Sequence, residues 1–115
     1  MGARVNLVFK QYENKPNVVL YSHWGADTWE VDLAHALNNA KGRWDDISYG
    51  TRTTITSLVG EQYASETGFG IYTAEDDEDL GEFQVEVNFI NQTVNNTAFD
   101  IFVNYGLAKG EYQDA

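Results

Sequence analysis

The stretch Val18-Val19-Leu20-Tyr21-Ser22-His23-Trp24-Gly25 governs how the rest of the chain is read. Its first residues are β-branched and aliphatic, the composition of a buried strand. Side chains alternate along a strand, so Val19, Tyr21 and His23 share one face and Val18, Leu20 and Ser22 the other. Gly25 breaks the strand. Asp27, with Glu30 three residues later, approximates the capping box of a following helix. A strand that ends in serine, histidine and tryptophan presents chemically capable groups at the point where it hands over to a helix.

Upstream, Arg4 to Lys10 alternates, with Val5, Leu7 and Phe9 on one face, and predicts a partner strand. Glu13 to Asn17, with Pro16, is turn chemistry, giving a β-hairpin with a loop longer than the tight two-residue type. Downstream, Trp29, Leu33, Ala36, Leu37 and Ala40 recur at helical spacing, and Lys41-Gly42 ends that helix. Asp45 and Asp46 suit the start of a second helix over 47–59, with Thr51, Ile55, Leu58 and Val59 inward and Gly60 as its stop. Thr51, Thr53, Thr54, Ile55 and Thr56 are β-branched, so propensity alone also admits a strand there. Glu66 to Tyr72 reads as a loop entering a strand. Phe83, Val85, Val87 and Phe89 alternate with polar residues as a half-exposed antiparallel strand. Asn95-Asn96 makes the next turn, Phe99, Ile101, Val103 and Tyr105 line a last strand, and the tail 106–115 frays. The order β-β-α-α-β-β-β predicts one α+β domain over 1–115, with two helices packed on one face of a mainly antiparallel sheet.

Composition narrows the function. A chain of 115 residues with 43% hydrophobic and 14% aromatic content suits a single domain with a real core. It has no cysteine, which excludes disulfides and thiolate metal sites and fits a reducing compartment. No apolar run approaches the ~20 residues of a membrane span, and Arg4 to Phe9 does not read as a signal peptide. These features predict a cytoplasmic protein that does not engage the membrane. The net charge is −11, and it is unevenly placed. Residues 1–60 balance Arg4, Lys10, Lys15, Lys41, Arg43 and Arg52 against six acids, whereas residues 61–115 set twelve acids against Lys109. Such a chain lacks the basic face that direct nucleic-acid binding requires.

Two groups of residues carry candidate function. The first is Tyr21, His23, Trp24, Arg43, Trp44, Tyr49, Arg52 and Glu66, drawn from short connections. Trp24 and Trp44 would stack on a ring, Arg43 and Arg52 would hold an anionic group, and His23 with Tyr49 would complete the hydrogen bonds. Set against this, tryptophans on an inner stripe, as Trp29 is, are core, and a buried arginine is commonly paired internally. The second group is acidic: Glu75, Asp76, Asp77, Glu78 and Asp79, extended by Glu82 and Glu86. Five consecutive acids repel one another and form a solvated hairpin tip. Continued along one strand face at about 6–7 Å per two residues, they could also imitate a phosphate backbone. Neither a calcium loop nor a zinc, Walker, dinucleotide or nucleophile-elbow motif is present, so no cofactor is expected and catalysis is disfavoured.

The segments Leu20-Tyr21-Ser22-His23-Trp24-Gly25, Arg43-Trp44-Asp45-Asp46 and Glu66-Thr67-Gly68-Phe69-Gly70-Ile71 together resemble small uncharacterised proteins of tailed bacteriophages. The resemblance covers roughly residues 18–72 and implies a viral origin with no defined chemistry. The resulting expectation is a non-enzymatic phage accessory protein in the host cytoplasm, binding a small anionic or nucleotide-like ligand or a host protein. The alternatives are an acidic nucleic-acid mimic that inhibits a host enzyme, a virion structural protein, and a small hydrolase using His23 with Asp45 or Glu66. Homo-oligomerisation stays open.

Overall fold

A computed structural model describes residues 4–23, 25–81 and 83–114. The chain forms β1 (Val5–Lys10), β2 (Asn17–Ser22), α1 (Trp29–Asn39), α2 (Ile47–Val59), β3 (Phe69–Ala74) and β4 (Phe83–Asn88), then two short strands, β5 (Thr93–Val94) and β6 (Thr97–Ala98), and finally α3 (Phe99–Asp114). The strands make one mixed sheet in the order β3-β2-β1-β4-β5-β6. The α+β class is as the sequence predicts, and the sheet is mainly antiparallel. The pairing of β1 with β4 is parallel, in register from Val5 opposite Phe83 to Lys10 opposite Asn88.

Cross-strand register separates the two faces. Val5, Leu7 and Phe9 of β1 align with Leu20 of β2 and with Val85 and Val87 of β4, and all are buried. Against them pack Leu33, Ala34 and Leu37 of α1, and Phe99, Phe102 and Val103 of α3. Burying each large side chain of this set contributes roughly 1.5–3 kcal/mol. The rings interlock: Phe89 meets Phe99 edge-on at 5.1 Å between centroids, and Trp44 meets Phe99 at 5.2 Å.

The segment 47–59 is a helix despite its β-branched residues. Asp46 caps it by accepting the Tyr49 N–H at 3.0 Å, and buried Thr54 donates its hydroxyl to the Gly50 carbonyl at 2.7 Å. Gly50 lets the helix approach its neighbours, since a Cβ there would collide with the Arg43 carbonyl oxygen and lie 2.7 Å from the Phe89 ring. Gly60, at φ 55°, follows the last turn. Local capping and tertiary burial together outweigh strand propensity here.

The last element departs from expectation. Residues 99–105 are the start of α3 rather than a strand, and the helix runs on through the stretch expected to fray. Phe99, Phe102, Val103, Gly106, Leu107 and Gly110 recur at three- and four-residue steps, and the aliphatic and aromatic members of that stripe face the core. Ile101 and Tyr105, which a strand would bury with Phe99 and Val103, are 62% and 54% exposed. The period-two pattern was a coincidence of four apolar residues. The Asn95-Asn96 turn is as expected, with φ 46° and 72° at its two central residues, the left-handed pair that closes a tight hairpin between β5 and β6.

Helices α1 and α3 touch at glycine. A Cβ on Gly106 would collide with the Ala34 side chain and sit 2.8 Å from the Glu30 carbonyl oxygen. Gly106→Val should therefore destabilise the fold by about 3 kcal/mol, read from the urea midpoint. Gly42→Ala, at a position with open space around it, should stay within about 0.5 kcal/mol of the parent.

Candidate functional site

β3 and β4 point the same way, with β2 and β1 between them. The chain leaving Ala74 must therefore return the length of the sheet before β4 begins. The helices fill one face, and the contacts of residues 75–81 lie on the other. Asp76 accepts hydrogen bonds there from the Asn17 side-chain amide at 2.7 Å and from the Lys10 ammonium at 3.1 Å. The acidic run is thus not a hairpin tip but a crossover laid over the open face. Its backbone is set by local bonds. The Glu78 N–H donates to the Glu75 carbonyl at 3.2 Å, and the Gly81 N–H to the Asp79 carboxylate at 2.9 Å, with Gly81 at φ 71°.

Under the crossover lies a cavity of about 160 Å³, lined by Val8, Asn17, Glu78, Leu80, Gln84 and Glu86 among others. The crossover covers Asn17 and Ala74, which line this cavity and are buried although they sit on the face without helices. The Asn17 amide, followed by Lys10, holds the Asp76 carboxyl below the usual aspartate range. The same contact raises Lys10, with Glu13 at 3.9 Å and Glu86 adding to it. Half of the Asp76 side chain remains in solvent, so screening keeps the pair energetically modest, and its effect is positional. Glu75, Asp77, Glu78 and Asp79 stay exposed, while Glu86 is half-buried on the open face. Glu82 lies outside the described residues.

The first candidate group divides between the two ends of the sheet. Tyr21, opposite Asn6, and His23 share the open face at the end of the sheet where β1 begins, with the tyrosine hydroxyl 3.2 Å from His23 Nδ1, and the His23 backbone N–H donates to the Gly68 carbonyl. The strand end at Tyr21 and His23 therefore does meet the loop that carries Glu66 and leads into β3. Arg43, Trp44 and Tyr49 lie at the other end, beside Phe99 and Gln92. The Trp44 indole N–H donates to the Leu37 carbonyl at 2.9 Å, the Gln92 amide bonds the Trp44 carbonyl, and the Arg43 guanidinium stands over the Tyr49 ring at 5.6 Å. Trp44 packs against the core instead of offering a free stacking face. Arg52 is exposed on α2 and donates to Thr56 at 3.4 Å, and Glu66 is exposed in the loop before β3. Trp24 lies outside the described residues. Asp45, one partner considered for His23, accepts from Gln92 at the far end instead.

Two of the larger clefts lie beside α2 and went unread in the sequence. One, about 420 Å³ between α1 and α2, collects Ser22, Thr28, Asp32, His35, Ser57 and Gln62. Three of its polar groups are engaged locally, Thr28 donating to Asp32 at 2.7 Å and Ser57 accepting from Asn39 at 2.9 Å. The other, about 440 Å³ beside β3, is lined by Leu20, Ile55, Val59, Tyr63, Phe69 and Ile71. Helix–helix clefts leave no local signal, because their walls come from residues far apart in the chain. The apolar groove did have one: the uncharged run Phe69–Ala74 between acidic flanks. No lysine or arginine lines these clefts or the crossover cavity. Among the described residues no group of three histidine, aspartate or glutamate side chains is placed to hold a metal ion. Among the same residues no helix is long and apolar enough to cross a membrane. Comparison with protein-family models, with curated proteins and with solved structures finds no match to the chain.

The anchor of the crossover is testable by titration. Asp76 is held down in the folded state, so its stabilising contribution is complete above the ordinary aspartate pKa of about 3.9 and is lost as pH falls through its lower folded value. Carboxyl NMR should place its midpoint below that of an unperturbed aspartate, and Asn17→Ala should move it upward. An unchanged midpoint in that variant would show that the amide does not hold the crossover.

Proposed function

We propose that this chain is a non-catalytic binding protein that engages a positively charged protein surface through the acids of the crossover. The observation that carries this reading is the pinning of Asp76 between Lys10 and Asn17. That bond ties one member of the run to the sheet and leaves Glu75, Asp77, Glu78 and Asp79 displayed in solvent from a supported backbone. Fixed charges aimed outward steer association with an oppositely charged groove, and they cost less ordering on binding than a floppy acidic tail. The scatter of Arg43, Trp44 and Arg52 away from His23, and clefts without basic residues, disfavour a small anionic or nucleotide-like ligand. A nucleic-acid-binding groove on another protein is the kind of basic surface such a display fits. On the phage resemblance, its owner is a host protein.

The experiment is calorimetry of the native chain against purified nucleic-acid-binding enzymes at low and high salt. A binder should weaken steeply with salt, and the combined variant Asp77→Asn, Glu78→Gln, Asp79→Asn should lose about tenfold or more in affinity with an unchanged circular dichroism spectrum. Absence of any binder, or a binder indifferent to these three charges, removes the reading.

A further inference from the structure

β3 closes one end of the sheet, and no strand among the described residues pairs with its outer edge. The His23 N–H donates to the Gly68 carbonyl, which sets the alternation of the antiparallel ladder. Gly70, Tyr72 and Ala74 then exchange hydrogen bonds with β2, and Phe69, Ile71 and Thr73 turn their N–H and C=O groups outward. Those same three residues share the face of Leu20, above the apolar groove walled by Ile55, Val59 and Tyr63. Ile71 is 64% and Tyr63 83% exposed. Free edges are normally blunted by lysine, proline, a bulge or an inward charge. The sequence Phe69-Gly70-Ile71-Tyr72-Thr73-Ala74 has none of these.

We infer that β3 is a docking edge that adds one extended segment of a protein partner as a seventh strand. Its alternate apolar side chains enter the groove, and its lysines or arginines flank them at both ends. The charge requirement comes from what brackets the edge: exposed Glu66 before it and Glu75, Asp77 and Glu78 after it, with no lysine or arginine anywhere in 61–81. The same brackets disfavour a second copy of this chain, since an antiparallel β3–β3 pair would set Glu66 of one protomer against the acidic run of the other. Main-chain hydrogen bonds give such a complex its affinity, and the groove and flanking charges give it selectivity. The inference rests on the proposed function for the sign of the partner's charge and goes beyond it in naming the edge.

The probe is a synthetic nonapeptide, Lys-Lys-Val-Thr-Val-Thr-Val-Lys-Lys, with a twin carrying glutamate in place of lysine. The lysine peptide should slow amide exchange at Phe69, Ile71 and Thr73 about tenfold or more, and should bind at least about tenfold more tightly than its twin. Ile71→Pro deletes one outward donor and no bond to β2, a placement that edge strands tolerate, and should abolish the protection. Ile71→Lys keeps the backbone and places a repelling charge at the groove, so it should weaken the lysine peptide even if the proline variant fails to fold. No binding, equal binding of both peptides, or a native dimer protected at these three amides overturns the inference. Binding of the lysine peptide with protection confined to 75–81 also overturns it and leaves the acidic-display reading standing.

Discussion

The parallel pairing of β1 with β4 is the constraint from which the acidic crossover follows. Antiparallel neighbours can be joined by a turn, but a parallel partner needs the chain to travel back along the sheet. Here β2 and β3 have already been placed on the far side of β1, so the return path runs from the outer edge across two strands. The helices occupy the core face, and the connection therefore crosses the open one. A short crossover made almost entirely of acids could not lie on an apolar sheet. It lies on Lys10 and Asn17, polar residues that β1 and β2 present on that face.

The other layer obeys a different rule. α1 packs against both α2 and α3, and the sheet's aliphatic face is sealed by leucines from α1 and phenylalanines from α3. Close approach between α1 and α3 is set by Gly106, and between α2 and the segment before it by Gly50. Small residues at these points hold the helices in one arrangement, and Ile55 and Val59 of α2 wall the groove beside β3. Lys109 adds a bond from α3 to Glu30 of α1 at 2.7 Å, a pair partly shielded from water.

Charge and edge belong to one design. The acids after β3 make the crossover, and with Glu66 they also bracket the open edge. A neutral edge strand is a hazard for self-association, and like charges at both ends suppress it while leaving an oppositely charged strand admissible. The concentration of negative charge in the second half of the chain thus acts through its placement as well as its sum.

The sequence by itself determined the α+β class, the first hairpin, the helix over 29–39 and the Asn95-Asn96 turn, because each rests on local periodicity or turn chemistry. It also showed where the negative charge lies. Only the tertiary structure decided that 99–105 is helical, since four apolar residues at period two coincide with a helical stripe until Gly106 and Gly110 find α1. Only it decided that Trp44 faces Phe99 while His23 sits at the opposite end of the sheet. The acidic run became a crossover for the same reason: strand order is set by which distant faces bury each other best, and neighbours in the chain carry no record of that competition.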